Sequence, residues 1–288
     1  MNQQRSPSER SSQEHLEKDA DPQAAKQDEA GEEKDRQFVT ALARGLSILR
    51  CWRSSDQYLG NQEIAARTGL PKPTVSRLTY TLTRLGYLDY APTLEKYSLG
   101  VAVLTLGHAY LASQTVRSVA RPLMQRFAEE VQSTVMLGTA DALNMVVVEV
   151  CQGSQAVHIK RDVGQRVPHG TTALGRAYIA GLPPAMRGPA IDNFRQLATA
   201  EDWPAVRAGI ERACIEADRS GFVHSYGEWR PDIYAVGVPL VSDHGDKVYA
   251  LSCSGPVYTM TKKRLLREIG PSLVRLRDQI KAMWGGRI

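Results

Sequence analysis

Residues 61–86 read NQEIAARTGLPKPTVSRLTYTLTRLG. This stretch predicts two helices joined by a tight turn. Asn61 is placed to cap the first, which runs through Arg67 with Ile64 and Ala65 facing inward. Gly69 provides a residue that takes a left-handed turn at the helix end. Pro73 suits the first position of the second helix, where its missing N–H loses nothing. From Pro73 to Leu85, the residues Val75, Leu78, Leu82 and Leu85 recur at helical spacing and predict one buried stripe. Lys72 lies at the helix start, and Thr74, Ser76, Arg77, Tyr80, Thr81 and Arg84 fall on the other side. A polar, Arg-bearing helix presented in this way is the arrangement that enters a DNA major groove.

The flanks extend this reading. Tyr87–Tyr90 and Lys96–Leu99 predict two short strands around Ala91-Pro92-Thr93-Leu94-Glu95, the wing of a winged helix-turn-helix. Lys96 stands where a wing meets backbone phosphate or a minor groove. A helix from about Val39 to Arg53, with Val39, Leu42, Leu46 and Leu49 at helical spacing, opens the domain, and Tyr58-Leu59 suits a short strand. The stretch from Gly100 to Gln114 is a more apolar helix with Val101, Val103, Leu104, Leu106 and Leu111. It reads as a connector whose excess apolar surface calls for a partner.

Charge separates along the chain. Residues 1–37 carry ten acidic and six basic side chains with almost no large apolar residue, a composition that does not cover the entropy of ordering and predicts a disordered acidic tail. Residues 38–100 carry eight basic and four acidic side chains, a balance that attracts phosphate and is also ordinary for a protein surface. There is no apolar run long enough to span a membrane and no signal-peptide segment at the N-terminus. Cys51, Cys151, Cys214 and Cys253 are widely spaced and form no CxxC, which points to free thiols in a cytoplasmic protein.

Past residue 115 the pattern changes. A helix over 116–131 precedes strand-like runs Thr134–Ala140, Met145–Cys151 and Ala156–Arg161. Helical stretches follow near 172–181, 185–197 and 203–219. Tyr234–Val241 and Lys247–Ser254 predict two strands joined by the turn Ser242-Asp243-His244-Gly245-Asp246, and a closing helix runs from about Lys262 to Trp284. The fold class is α+β with a mostly antiparallel sheet. The expected organisation is a tail over 1–37, a winged helix-turn-helix over 38–99, a linker helix over 100–115 and an effector-binding domain over 116–288.

Four stretches together resemble the isocitrate lyase regulator (IclR) family of bacterial transcription regulators: ALARGLSIL at 41–49, IAARTGLPKPTVSRLTYTLTRLGYL at 64–88, DVGQRVPHGTTALGRAYIAGLP at 162–183 and ALSCSGP at 250–256. The resemblance implies an N-terminal winged helix, a linker helix and a GAF-like C-terminal domain that takes a small molecule. It implies a homodimer or tetramer on double-stranded operator DNA, controlled by a small organic acid and governing a catabolic operon, with no cofactor. The chain departs from the family at one loop. Where Leu-Pro-x-His is usual, it has Val167-Pro168-His169-Gly170, with the histidine one place earlier.

The resemblance places the effector pocket at residues 164–176. Gly164, Gly170 and Gly175 allow close backbone approach, Thr171-Thr172 can cap a helix, and Ala173 and Leu174 match pocket-lining positions. A helix N-terminus there offers N–H groups to a carboxylate. On the strand at 251–254, alternation sends Ser252 and Ser254 to one face and Cys253 to the other. Two hydroxyls on a buried face need partners, either an effector's oxygens or nearby backbone. The segment His224–Asp232 reads as a loop over the pocket or a plain surface loop. Ser225 or Tyr226 stands at a ligand-contacting position where some relatives carry an acid, Trp229 and Arg230 offer an aromatic wall and a carboxylate clamp, and Tyr234 and Ala235 begin a pocket-lining strand. No HExxH, GxSxG or P-loop occurs, and no closely spaced metal-ligand set, so neither catalytic nor metal-binding residues are expected. The alternatives are a small-molecule enzyme or sensor whose winged helix binds protein, and a DNA-packaging protein without a ligand.

Overall fold

A computed structural model describes residues 37–142, 144–154 and 161–285. Nearly all of the acidic tail expected over 1–37, and the strand expected over 156–161 except Arg161, lie outside the described residues. Two compact units divide between Tyr110 and Leu111.

In the first unit, α1 (Thr40–Arg50), α2 (Asn61–Thr68) and α3 (Lys72–Arg84) surround a small core of Ile48, Leu59, Ile64, Val75 and Leu88. Asn61 is the first residue of α2 and not its cap. That place belongs to Gly60, whose N–H donates to Glu63 Oε2 at 2.7 Å. The Asn61 side chain instead accepts from Thr79 Oγ1 at 3.2 Å, tying α2 to α3. Gly69 ends α2 at φ 69°, its N–H donating to Ala65 O. The buried stripe of α3 holds Val75 and Thr79 with Leu78 and Leu82 half-buried. Leu85, expected inside, is exposed, because the helix ends at Arg84 and the chain turns away toward the wing. That wing is β1 (Leu88–Ala91) paired antiparallel with β2 (Lys96–Leu99), and Leu59 adds an isolated bridge to Tyr97. In α1, Ile48 is the buried residue, whereas Val39, Leu42 and Leu46 are exposed. Of the apolar residues read at helical spacing there, Leu49 packs against the core, while Val39, Leu42 and Leu46 form an outward face.

Next, α4 (Val101–Ser113) buries no residue along its length. The division between the units falls inside it, since Leu111 packs against the core of the second unit.

The second unit is built on a six-stranded sheet. Its strands are β3 (Thr134–Asp141), β4 (Asn144–Gln152), β5 (Arg166–Pro168), β6 (Val223–Tyr226), β7 (Ile233–Val241) and β8 (Val248–Pro256). They lie in the order β5-β4-β3-β8-β7-β6, and every pairing is antiparallel. Strand alternation splits the sheet into two faces. Val135, Leu137, Val236, Val238, Leu251 and Cys253 face α5 (Thr115–Val131) and the closing helix α9 (Gly270–Trp284), which is entered through Lys262–Arg264 and a π-helical turn at Leu265–Ile269. Met136, Ala250 and Ser252 take the other face, on which α6 (Ala173–Gly181) lies. Gly237 lets α6 approach: a Cβ there would stand 2.4 Å from the Ala173 carbonyl oxygen. Outside α6 run α7 (Pro184–Asn193), a 3-10 turn (Phe194–Leu197) and α8 (Trp203–Ser220). The two edge strands, β5 and β6, were not legible as strands. Each is short, and β6 occupies the start of the segment expected to be a loop at His224–Asp232.

Candidate functional site

Two surfaces carry the chemistry. On the first unit, Lys72, Ser76, Arg77, Tyr80, Thr81 and Arg84 are exposed on α3 and Thr74 is half-exposed. Buried Val75 and Thr79 lie on the opposite side, so the polar face projects outward as one strip. Thr81 Oγ1 donates back to Arg77 O at 3.0 Å. Lys96 on the wing is engaged with Glu63, Nζ to Oε2 at 3.1 Å, and must leave that carboxylate to meet a phosphate.

On the second unit, a cavity of about 430 Å³, counting its open mouth, forms between the sheet and the N-terminus of α6. Six of the eight expected effector-site residues line it: Ala173, Leu174, Ser225, Ala235, Ser252 and Ser254. Tyr226 and Tyr234 do not. They pair across β6 and β7 with side chains on the opposite sheet face, where they pack against the α5/α9 core at a ring separation of 5.2 Å. Alternation explains this: Ser225 and Ala235 are also a register pair, so their neighbours Tyr226 and Tyr234 must point away.

The polar groups of the cavity differ in how well they are satisfied. Thr172 caps α6 by accepting from Gly175 N at 3.0 Å and donates to Pro168 O at 2.6 Å. The N–H groups of Ala173 and Leu174 begin the helix, where no preceding turn can pair them. The Ser225 hydroxyl already has acceptors in Thr171 O at 2.9 Å and Glu228 Oε2 at 2.7 Å. Ser252 Oγ, on a residue 1% exposed, has no hydrogen-bond partner among the described residues. A buried hydroxyl left without a partner forfeits about 1–3 kcal/mol.

Basic and aromatic residues complete the lining. Trp229 and Arg230 come from the loop after β6, and Arg161 from the segment before β5. Arg161 Cζ lies 4.7 Å from the Trp229 ring centroid and Arg230 Cζ 5.4 Å from it. Burial, and then the nearby Arg230 charge, push the Arg161 guanidinium down to about 10, with Asp232 opposing; it stays protonated at neutral pH. Arg161 was not singled out from the sequence: it stands just before the 162–183 stretch, at the end of an expected strand, with nothing in its local pattern to aim it at the cavity.

Beneath the loop, Arg176 on α6 is buried. Its Nε donates to Gly170 O at 2.9 Å, and Nη1 donates to His224 O at 3.2 Å and to Glu228 Oε1 at 2.9 Å. The Glu228 carboxylate also accepts from the Tyr226 N–H. Although burial raises its pKa, the Arg176 hydrogen bond and charge bring the net shift below the usual carboxylate value. One helix therefore supplies the N–H groups at the cavity and, one turn on, the guanidinium that holds the loop carrying Trp229 and Arg230.

His169, one place earlier than the family pattern, does not reach the cavity lining. It is buried and stacks on Phe194 at 4.4 Å; burial pushes it down to about 4, with a backbone hydrogen bond at Asn144 opposing. Cys253 faces the α5/α9 core, and burial pushes its thiol up to about 12. Among the described residues, no group of three or more His, Cys, Asp or Glu is arranged to hold a metal, and no helix is long and apolar enough to cross a membrane.

Comparison with known proteins matches these two surfaces to two family models. The helix-turn-helix region, residues 41–92, matches the IclR helix-turn-helix domain, and residues 108–282 match the bacterial transcriptional regulator IclR C-terminal domain. The HTH-type transcriptional regulator TsaQ1/TsaQ2 of Comamonas testosteroni is 35% identical over 247 residues, covering 85% of this chain and 88% of that protein. The crystal structure of an IclR family transcriptional regulator from Brucella abortus is 42% identical, with TM-score 0.82 over 88% of this chain and 96% of that one. An IclR homologue from Microbacterium hydrocarbonoxydans, complexed with 4-hydroxybenzoate, shares the fold at TM-score 0.66 and 21% identity, over 84% of this chain and 98% of that one. With both of its units accounted for, the chain belongs to the IclR family of DNA-binding bacterial transcriptional regulators.

Proposed function

We propose that a small organic acid occupies the cavity of the second unit and thereby alters how α3 holds operator DNA. The observation that carries this reading is the Ser252 hydroxyl, buried in the cavity wall without a partner among the described residues. The residues that open α6 line the same cavity, and a helix N-terminus is a position favourable to a carboxylate. An acid whose oxygens meet Ser252, Ser254 and the Ala173 and Leu174 N–H groups satisfies all of them at once. The Microbacterium hydrocarbonoxydans homologue holds 4-hydroxybenzoate, a compact acid of the class proposed. Ser225 contributes to the wall chiefly by holding Glu228 and the loop.

On the DNA side, Arg77 and Arg84 meet guanine edges or phosphates, and Lys72, Thr74, Ser76, Tyr80 and Thr81 position the helix. Lys96 is secondary because Glu63 competes for it. The chain acts as a homodimer in the cytoplasm, as a regulator with no catalytic role. Two surfaces support self-association: the exposed stripe Val39, Leu42 and Leu46 on α1, and Val101, Leu104 and Leu106 on α4. A two-fold assembly also matches the two half-sites a helix-turn-helix dimer reads.

A thermal-shift panel of carboxylic acids tests the effector reading. A specific stabilisation that Ser252→Ala diminishes supports it; a panel with no such response refutes it. A gel shift with DNA upstream of the chain's own gene tests the DNA reading, and Arg77→Ala that leaves sequence-specific binding untouched removes it.

A further inference from the structure

We infer that the joint between α4 and α5 is the switch through which the filled cavity acts on DNA binding, with Tyr249 and Gln114 as its positioning residues. The inference rests on the proposed effector reading and names how that site regulates. One residue, Gln114, separates Ser113 at the end of α4 from Thr115 at the start of α5. Gln114 stands at the N-cap of α5, yet its side chain does not cap the helix. Its amide is used otherwise: Oε1 accepts from the Tyr249 hydroxyl at 2.6 Å, and Nε2 donates to Ser113 Oγ at 3.0 Å. On the α5 side, Trp284 Nε1 donates to Thr115 Oγ1 at 3.2 Å, and the Tyr249 and Trp284 rings meet edge to face with centroids 5.8 Å apart. All of these groups belong to the second unit.

Tyr249 lies on β8, the strand that carries Ser252 and Ser254. Alternation turns the two serines to the cavity and Tyr249 to the α5/α9 core, so one strand bears ligand groups on one face and the anchor of the joint on the other. The route between them is short. Leu174, in the cavity lining, sits so closely on Gly138 that a Cβ there would stand 2.9 Å from Leu174 Cδ2. Gly138 is the register partner of Ala250, the neighbour of Tyr249. At this rung the β3–β8 ladder ends, and β3 also shifts its register against β4. Beyond it β8 stays laddered to β7, with Tyr249 opposite Leu240, and is met on the β3 side by the Thr139 hydroxyl, which donates to Val248 O at 2.9 Å. A strand end laddered on one side yields more readily than its doubly paired centre. An acid that draws Ser252 and the start of α6 together therefore displaces β8 at its less supported end, and the Tyr249 hydroxyl moves against Gln114. The end of α4, which buries none of its own residues, is held through Leu111 on the α5/α9 core and through this joint. One hydrogen bond made in one state and lost in the other shifts an equilibrium about two- to tenfold, within reach of ordinary coupling between sites.

The test compares the full chain with its Tyr249→Phe, Gln114→Ala and doubly substituted variants. The Kd for DNA upstream of its gene is measured with and without a saturating acid. The acid is whichever of benzoate, 4-hydroxybenzoate and benzene-1,4-dicarboxylate titrates most tightly. The wild-type ratio of the two Kd values is expected to be at least about fivefold. Each single substitution brings it to about twofold or less, while the acid Kd without DNA stays within about twofold of wild type. The double substitution adds nothing further, because both remove the same bond. A residue that only supports the fold would instead lower the melting temperature and leave the ratio intact. Either variant decides the matter if the other fails to fold. A folded variant that keeps the ratio, or that loses acid binding along with it, overturns the inference and leaves the effector reading standing. If no acid of the three changes the wild-type Kd, both fall.

Discussion

Gly209 on α8 faces the buried guanidinium of Arg176, and replacing it should change sign with the residue it faces. A Cβ at position 209 would stand 2.5 Å from Arg176 Nη2 and 3.2 Å from Cζ. Guanidinium tips usually swing aside, but this one is tied to Gly170 O, His224 O and Glu228. Gly209→Ala therefore overpacks a fixed group, at about 1–3 kcal/mol. Against that, Ala in a helix interior gains about 0.5–1 kcal/mol over Gly. The net expectation is a loss of up to about 2.5 kcal/mol. Arg176→Met alone strips three acceptors of their donor. It should destabilise by about 3 kcal/mol, near the lower end for a broken buried pair, because the Glu228 side chain keeps 34% of its exposure. With Met at 176 the side chain ends near the former Nε, 3.7 Å from the new Cβ, an ordinary contact. Gly209→Ala should then stabilise by about 0.5–1 kcal/mol. Urea denaturation of the four proteins at neutral pH closes the cycle. If Gly209→Ala has the same sign and size in both backgrounds, the guanidinium is not held under the loop as described.

Other outcomes follow from the same geometry. Ser252→Ala should leave the ligand-free protein as stable or up to about 1–2 kcal/mol more stable, because it removes an unpaired buried hydroxyl, while weakening acid binding; a large loss of ligand-free stability in a thermal melt would show that the hydroxyl has a partner. Gly237→Ala should cost at least about 1–3 kcal/mol, since the new Cβ would meet the Ala173 backbone and displace the start of α6; an unchanged melting temperature contradicts the packing. His169 supplies a pH test. Burial depresses its folded pKa to about 4 from 6.5, so the unfolded chain binds more protons between those values. Its contribution is full above pH 6.5 and is lost as pH falls toward 4, a decline of up to about 3 kcal/mol. A His169→Leu variant whose stability falls just as steeply over that window would refute the assignment.

What the sequence disclosed and what it withheld have physical reasons. Ser252 and Ser254 were legible because a strand's two-residue period fixes which side chains share a face. Tyr226 and Tyr234 were named by position beside Ser225 and Ala235, and only the register that pairs Tyr226 with Tyr234 shows that both point to the other sheet face. The polar side of α3 was visible from helical spacing, yet Leu85 fell outside because the helix stops one residue earlier. Asn61 looked like a cap by residue type, while Gly60 and Glu63 perform that work and Asn61 reaches Thr79. Short edge strands carry too few residues to show a period, so β5 and β6 went unseen. Arg161 and the Arg176–Glu228 pair went unseen as well, since each acts through contacts between segments far apart in the chain.

The central claim is that occupancy of the cavity changes DNA affinity. Fluorescence anisotropy of the upstream DNA, at fixed salt, with and without a saturating acid shown by titration to bind, measures it directly. The account predicts that the acid shifts the Kd for DNA by at least about fivefold in either direction, and that Ser252→Ala at the same acid concentration removes most of that shift. A wild-type Kd unchanged by an acid that demonstrably fills the cavity would contradict it.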